Sequence, residues 1–391
     1  MLLYDFLEQK PLYYKEIDHQ RVHEAYTILK EHIQHPRTIH IVGTNGKGST
    51  GRILAHLAYK SALSVGHFSS PHILKFNERI WLNGQDTSDA VLEVAHARLY
   101  AILGMQMSAS LSYFEYTTLL ALVVFENCDL IVLEAGLGGE YDASNVCDKV
   151  LSIITPIGID HQAFLGETIE EIASTKIRSI QKQVLLAPQS YDTVVKVAKK
   201  IAAEKGASLF TLASMHSTAE NHEIMVDCIN PILAGIAKNK AWAAYLVTNA
   251  TVAVKALDIL NIAYDVHHLK SLELFGRFYA LDSNIRIDVG HNPLAAKAIV
   301  NALDKQVVLI YNALDDKDYE AVLRILKPKV KRVEILEISA QRATSLEKIE
   351  QALQRVGLPY RYFTNTIDAS EMYLVFGSFY VVEAFLKQRD R

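Results

Sequence analysis

Residues 38–50 read TIHIVGTNGKGST, an apolar, β-branched run that gives way to a glycine-rich turn and then to helix-forming residues. Strand, glycine turn and helix in that order open a βαβ unit, so the chain must build a sheet with a strand that ends at a turn able to cradle an anion. Gly43, Gly46 and Gly48 let the backbone N–H groups of the turn converge. The helix N-terminus adds its partial positive charge, and Lys47 is long enough to reach the β- and γ-phosphates of a nucleotide. Ser49 or Thr50 could offer a hydroxyl to Mg²⁺. The usual phosphate loop places four residues between its first glycine and Gly-Lys. Here only Thr44 and Asn45 intervene, and Gly48 separates Lys47 from the hydroxyls.

The alternation continues along the chain. Strands are expected at Thr38 to Val42, Ser64 to Phe68, Leu130 to Leu133 and Val150 to Ile154, and helices at Ser49 to Leu63, Ser88 to Leu103, Glu115 to Glu126 and Ala241 to Leu260. Leu130 to Leu133 and Val150 to Ile154 are too apolar for a one-sided sheet, so helices must cover both faces. A polar, histidine-rich stretch, Tyr264 to Lys270, marks a domain boundary. Beyond it the alternation restarts, with strands near Ile285 to Val289, Val307 to Ile310, Val333 to Leu336 and Tyr373 to Val375. The expectation is an α/β protein of two domains, residues 1–268 and 269–391, consistent with a 391-residue length at about 150 residues per domain.

Charge and composition exclude several classes. Forty Lys and Arg against 44 Asp and Glu give a net charge of −4, with no general positive field for holding nucleic acid. The opening MLLYDFLEQK carries Asp5, Glu8 and Lys10 within its apolar stretch, which spoils a signal peptide or a membrane span and suggests a cytoplasmic protein. Cys128, Cys147 and Cys228 are too few and too scattered for a disulfide framework or a paired zinc motif, and read as buried thiols.

Four further segments carry candidate chemistry. FSSPHILKFNERI, residues 68–80, offers Ser70 as a metal or phosphate ligand directly after a strand. LIVLEAGLGGEYDASN, residues 130–145, puts Glu134 at the C-terminal end of an apolar strand, where open α/β sheets bind ligands and where Mg²⁺ would partner a carboxylate. ITPIGIDHQAFLGETIEEIASTK, residues 154–176, supplies Asp160 and His161 at the next strand end and Lys176 on the following helix. In the last third, FGRFYALDSNIRIDVGHNPLAAKA, residues 275–298, gives Arg277, Asp288 and His291 before a helix that Pro293 can open. An Asp at such a strand end can bind ribose hydroxyls, with Arg277 and His291 facing phosphates, so that the second domain would close over a nucleotide held by the first.

Taken together, GTNGKGS, SSPH with NERI, EAGLGG with DASN, IGIDHQAFLG, DVGHNP, the DDKD stretch at 315–318 and FGSF at 376–379 resemble the folylpolyglutamate synthase and dihydrofolate synthase family, within the Mur ligase superfamily of ATP-dependent amide ligases. The resemblance spans the chain in family order. It implies an N-terminal phosphate-loop ATPase domain with a mostly parallel sheet and a smaller, Rossmann-like C-terminal domain, with catalysis in the cleft between them. It also implies two Mg²⁺ ions. Ser70, Glu134 and His161 match metal positions, and Lys176 matches a lysine that the family carbamylates and that helps hold the second metal. Thr44 to Thr50, Asn249, Arg277 and Asp288 match ATP-binding positions. Ser112, Phe114, Tyr141, Asp142 and Ala143 fall where relatives bind the pteroate portion. Lys47, Glu134, His161, Lys176 and His291 are the candidate catalytic groups.

The chain departs from the family pattern at Glu140, where an Arg is usual, at Phe275, which replaces a Pro, and at Gly290, which replaces an Ala. Around Lys176 it reads Thr175, Lys176, Ile177, Arg178 and Ser179 instead of Glu-Lys-Ala-Gly-Ile. The reaction implied is ligation of L-glutamate to dihydropteroate, to a reduced folate, or to both, through an acyl phosphate. The partners implied are small molecules only, and the chain is expected to be a monomer. A peptidoglycan-precursor ligase would carry a UDP-binding domain ahead of the loop, and 42 residues precede Gly43. A nucleotide-dependent switch is the reading from another class, against which stands the separate constellation around Asp288 and His291.

Overall fold

The computed structural model describes residues 1–11, 18, 20–212 and 230–389; Cys228 lies outside them. Along the chain run α1 (Leu3–Glu8), α2 (Arg21–Leu29), β1 (Arg37–Val42), α3 (Lys47–Lys60), β2 (Val65–Phe68), β3 (Ile80–Leu82), β4 (Gln85–Asp86), α4 (Asp89–Ser110), α5 (Tyr113–Val124), β5 (Leu130–Glu134), β6 (Leu151–Ile154), α6 (Gln162–Leu165), α7 (Ile169–Ile177), β7 (Gln183–Leu186), α8 (Asp192–Glu204), β8 (Ser208–Thr211), α9 (Pro231–Asn239) and α10 (Ala244–Ile259). They are followed by β9 (Tyr279–Ala280), β10 (Ile285–Asp288), α11 (Pro293–Ala302), β11 (Val307–Tyr311), α12 (Tyr319–Leu326), β12 (Val330–Ile335), α13 (Leu346–Val356), β13 (Tyr360–Tyr362), β14 (Tyr373–Phe376) and α14 (Phe379–Arg389). The chain forms two compact units: Met1–Ile157 with Glu167–Asn230 and Asn249–Leu269, and Gly158–Gly166 with Pro231–Thr248 and Lys270–Arg391.

The first unit is built on an eight-stranded sheet of order β4-β3-β2-β5-β1-β6-β7-β8. From β2 to β8 every pairing is parallel, while β3 and β4 add an antiparallel edge. Ile39 lies opposite Val132 on one side and Leu151 on the other, and all three are fully buried. This is the environment that continuous apolar strands demand. The β3–β4 hairpin was not expected; Asn83 and Gly84 turn it with positive φ of 48° and 99°, the pairing that a two-residue hairpin favours.

Helix ends follow local chemistry. Ser112 and Glu115 form a reciprocal capping box at the start of α5, and Thr168 and Glu171 do the same for α7. The helix expected at Ser88 to Leu103 runs on to Ser110, with Gly104 at φ 72° breaking the helical dihedrals inside it. A glycine with positive φ commonly stands just past a helix end, and here the chain resumes the helix beyond it.

The second unit contains a six-stranded sheet of order β13-β12-β11-β14-β10-β9, parallel except for β9. Its core includes Ile299, Leu309, Val322, Val333, Leu353 and Leu374, all but closed to solvent. Fold class is therefore α/β with two mostly parallel sheets, as the alternating pattern predicts.

Gly66 in β2 shows how tightly the first sheet is covered: a Cβ there would lie 2.4 Å from the Phe125 ring. Gly66→Ala must displace that ring, which is itself fully buried. It is expected to cost about 1–3 kcal/mol in urea denaturation.

Candidate active site

In the first unit, β2, β5, β1 and β6 are neighbours in parallel register, so their C-terminal ends deliver Ser70, Glu134, the Gly43 turn and Thr155 to one edge. The turn is fastened to the chain after β6, because Thr44 N–H and Asn45 N–H both donate to Pro156 O, at 2.9 and 3.2 Å. These two amides therefore point at protein rather than converging on a ligand. The amides left open to a ligand are those at the start of α3. Gly46 precedes it with φ 87°, and the amides of Lys47, Gly48 and Ser49 lie in the first turn, where no helical carbonyl reaches them.

Lys47 curls over the turn, its Nζ donating to Gly43 O at 3.2 Å and Thr44 O at 3.3 Å, and lies 3.9 Å from Glu134 Oε1. The other carboxylate oxygen of Glu134 accepts from Ser70 N–H at 3.3 Å. Asn249, carried by α10, donates to Ser49 Oγ at 2.7 Å, and its Oδ1 would be 2.9 Å from a Cβ at Gly46. Asn249 thus stands against the glycine turn through Ser49. Thr50 is fully buried and its hydroxyl lacks a partner among the described residues.

Lys176, buried on α7, donates to Gly43 O at 3.1 Å. The loop after β5 packs closely on this helix: a Cβ at Gly139 would fall 2.3 Å from Lys176 O, and Glu140 N–H donates to Thr175 O at 2.9 Å. Two of the departures noted above prove to be one feature, since Glu140 Oε2 pairs with Arg178 Nη1 at 3.4 Å. Where the family pattern has Arg and Gly, this chain has an acid and a base facing each other across the same gap. The buried Lys149 adds a second tie, donating to Asn145 Oδ1 and, at 3.1 Å, to Ser179 O; desolvation lowers its pKa to about 8.

The expected acceptor-binding residues divide into two groups. Tyr141 is half exposed, and Phe114 lays its ring against Gly136 and 5.7 Å from that of Phe68, so both can offer aromatic faces. Ser112 is occupied as the cap of α5, and Ala143 is buried. Asp142 is buried and accepts from Leu137 N–H at 2.8 Å, from Ser144 N–H at 2.9 Å and from the Ser144 hydroxyl, which also meets His40 Nε2 at 2.9 Å. Burial pushes its pKa up against these donors. Its carboxylate holds the 135–147 loop in shape.

In the second unit, Asp160 gathers several positive groups. Its Oδ1 accepts from Lys317 Nζ at 2.6 Å and from His161 N–H at 2.8 Å, and its Oδ2 accepts from Asn292 Nδ2 at 3.1 Å with His291 Nε2 at 3.6 Å. Lys317 Nζ also lies 3.2 Å from His161 Nε2. Burial acts to raise the Asp160 pKa, but His291, His161 and Lys317 outweigh it and hold the carboxyl well below the ordinary range. Asn292 doubles as the cap of α11, with Pro293 in the first turn as the sequence suggested. Arg277 places its guanidinium 5.2 Å from the Phe379 ring, and Asp288 is buried at the end of β10. Gly290, where the family pattern has Ala, has no room for a Cβ: it would sit 2.6 Å from the Phe376 ring and 2.9 Å from Asp288 Oδ1.

Sequence reasoning named the DDKD stretch but gave Lys317 no role. A lysine between acids reads as a solvated residue, and only the tertiary structure sets it, 8 % exposed, against Asp160. Pro293 marked the helix start in the sequence, while neither bond of Asn292 was foreseen.

No family model matches the chain. It is similar to the crystal structure of Helicobacter pylori folylpolyglutamate synthetase, with a TM-score of 0.78 and 40% identity over 99% of this chain and 98% of that one. The chain belongs to the dihydrofolate synthase/folylpolyglutamate synthase family. The enzyme of that name from Escherichia coli is 30% identical over 91% of this chain and 87% of its own length. The Yersinia pestis bifunctional enzyme, solved with AMPPNP and a Mn ion, matches with a TM-score of 0.81 and 26% identity over 99% of this chain and 97% of that one. This family member is accordingly an ATP-dependent ligase.

Lys317→Met tests the Asp160 cluster. A depressed carboxyl contributes stability that is present above the ordinary carboxylate pKa of about 4 and is lost only as pH falls towards the depressed value. Removing the closest cation leaves a buried charge short of a partner, at an expected cost of about 3–5 kcal/mol at pH 7. The acid unfolding transition should also begin at higher pH than in the wild type, read from urea melts at pH 7 and at pH 4.

Proposed function

We propose that this enzyme joins the amino group of L-glutamate to the carboxylate of a pterin acceptor, dihydropteroate or a reduced folate, at the expense of ATP. A carboxylate is unreactive towards an amine at neutral pH, because the anion repels the nucleophile and offers no leaving group. Transfer of the γ-phosphoryl group to a carboxylate oxygen gives an acyl phosphate. The amine then attacks its carbonyl carbon, and the tetrahedral adduct expels phosphate and loses a proton.

The observation that carries this reading is the edge formed by Lys47, the open first turn of α3, Ser70 and Glu134. It places the Lys47 ammonium 3.9 Å from a strand-end carboxylate, on a helix whose first-turn amides have no helical carbonyl to bond. Such an arrangement stabilises charge on a transferring phosphoryl group mainly by position and electrostatics. Lys47 and the amides of Lys47, Gly48 and Ser49 would hold the phosphates, Asn249 would orient Ser49, Arg277 and Asp288 would take the nucleotide, and His291 would orient the γ-phosphate. Phe114 and Tyr141 would stack on the pterin, in a loop that Asp142 shapes. Residues 1–268 would form the ATP-binding and catalytic domain, and 269–391 the glutamate-ligase domain.

The donor set fits a divalent cation. The Glu134 carboxylate and the Ser70 and Ser49 hydroxyls are hard oxygen ligands. Among the described residues no three His, Cys, Asp or Glu side chains form a metal cluster. That suits Mg²⁺, which keeps several waters and binds through one or two protein oxygens and the substrate phosphates. Of two ions expected, Ser70, Glu134 and His161 would serve as metal ligands, and a carbamylated Lys176 would help to hold the second. Bound Mg²⁺ would supply charge neutralisation at the phosphates. The carbamate would require Lys176 to exchange its hydrogen bond to Gly43 O for a carboxylate-like role. Mass spectrometry of the native protein, or ¹³CO₂ labelling observed by NMR, detects or excludes it. We place the enzyme in the cytoplasm, as a monomer.

An ATP-coupled assay with each pterin acceptor in turn, and with glutamate omitted as the control, is expected to show ADP release that needs both acceptor and glutamate. ADP release that ignores both would mark a nucleotide switch instead. Lys47→Met should lower kcat by about a hundredfold or more, the scale of losing one charge-stabilising donor in phosphoryl or acyl transfer. The same variant should stay folded by circular dichroism, because the hydrogen bonds of Lys47 Nζ go to two carbonyls of its own loop and its contact with Glu134 is a looser 3.9 Å.

A further inference from the structure

Asp288 is held by more than its strand. Its Oδ2 accepts from Tyr245 OH at 2.7 Å and from Phe278 N–H at 2.8 Å, and its Oδ1 accepts from Gly290 N–H at 2.7 Å. A carboxylate has about four acceptor positions, so among the described residues three are filled by the chain itself and the one left is on Oδ1. Both acceptor positions of Oδ2 are closed, one by a backbone amide and one by the tyrosine hydroxyl. The carboxylate therefore cannot turn without breaking bonds at a buried site, and only Oδ1 can meet a ligand hydroxyl.

Tyr245 is suited to that task. It lies in the first turn of α10, and its ring packs against the apolar core of the second unit, so the hydroxyl is aimed by packing rather than by a flexible stem. Desolvation, and then the neighbouring Asp288, push the phenol pKa well above its ordinary value, so it remains a donor. Burial raises the Asp288 pKa above its ordinary value, opposed by the tyrosine bond and by the Arg277 charge, both of which favour the ionised carboxylate.

We infer that Tyr245 is a positioning residue for nucleotide recognition: it locks Asp288 in the orientation in which Oδ1 accepts a ribose hydroxyl of ATP. The inference rests on Asp288 being a nucleotide contact. Tyr245→Phe removes one oxygen and leaves the packed ring in place. KM for ATP is expected to rise about tenfold, the scale of losing a hydrogen bond to a charged group, with kcat within about twofold and KM for glutamate and the pterin acceptor unchanged.

The decisive comparison uses 2′-deoxy-ATP and 3′-deoxy-ATP. Wild type should discriminate against whichever lacks the bound hydroxyl, and Tyr245→Phe should lose that discrimination while leaving KM for the poorer analogue where it was. ADP titration calorimetry on the same folded variant should show the same loss of affinity. Equal increases for ATP and both analogues would mean a merely structural tyrosine and overturn the inference, as would an unchanged KM for ATP. Asp288→Asn separates the two claims. If it abolishes ribose discrimination while Tyr245→Phe does not, Asp288 is a nucleotide contact and Tyr245 has no positioning role. If Asp288→Asn leaves discrimination intact, the nucleotide role of Asp288 itself fails.

Discussion

Every chemical group in the first unit depends on the parallel ladder of β2, β5, β1 and β6. Fully buried residues such as Ile39, Ile41, Val132 and Ile153 fix the register of these strands by filling both faces of the sheet. Because side chains alternate along a strand, a slip of one residue would turn this apolar set towards the wrong face. The register in turn sets which residue ends each strand. Glu134 stands opposite Ile41, one residue before the phosphate turn's own strand ends at Val42, and that offset brings the carboxylate within reach of Lys47.

The loops are secured differently from the strands. Where the sheet uses apolar burial, the loops use backbone carbonyls and a few buried polar side chains. Pro156 O takes two amides of the phosphate turn, Asp142 takes the amides of its own loop, and Lys149 ties that loop to the end of α7. Each of these groups would be costly to bury alone, so the loops are rigid wherever their polar groups are matched. The Glu140–Arg178 pair is of another kind. Arg178 is mostly exposed, so the pair contributes little to stability. Its interest is that it accounts jointly for two departures from the family pattern that looked unrelated along the sequence.

The second unit repeats the principle with charge at its centre. Asp160, Lys317, His161, His291 and Asn292 come from three separate stretches of chain and meet only through folding. Asp288 is held in a comparable way by Tyr245 and two amides. In both cases the acid was legible as a strand-end residue before a helix, while its partners were not. Lys317 and Tyr245 carry no local mark: one is a lysine among acids, the other an aromatic on a largely apolar helix.

What the sequence by itself determined is whatever depends on neighbours within a few residues. The strand–glycine turn–helix of 38–50, the apolar strands that require a covered parallel sheet, the proline that opens α11 and the family motifs all belong here, because hydrophobic period and turn chemistry are local. The antiparallel β3–β4 edge, the continuation of α4 past Gly104, the use of Thr44 and Asn45 amides by Pro156, and the partners of Asp142, Asp160 and Asp288 were decided by the tertiary structure. A hydrogen bond between residues a hundred positions apart depends on burial and on the placement of whole elements, and neither leaves a periodic trace along the chain.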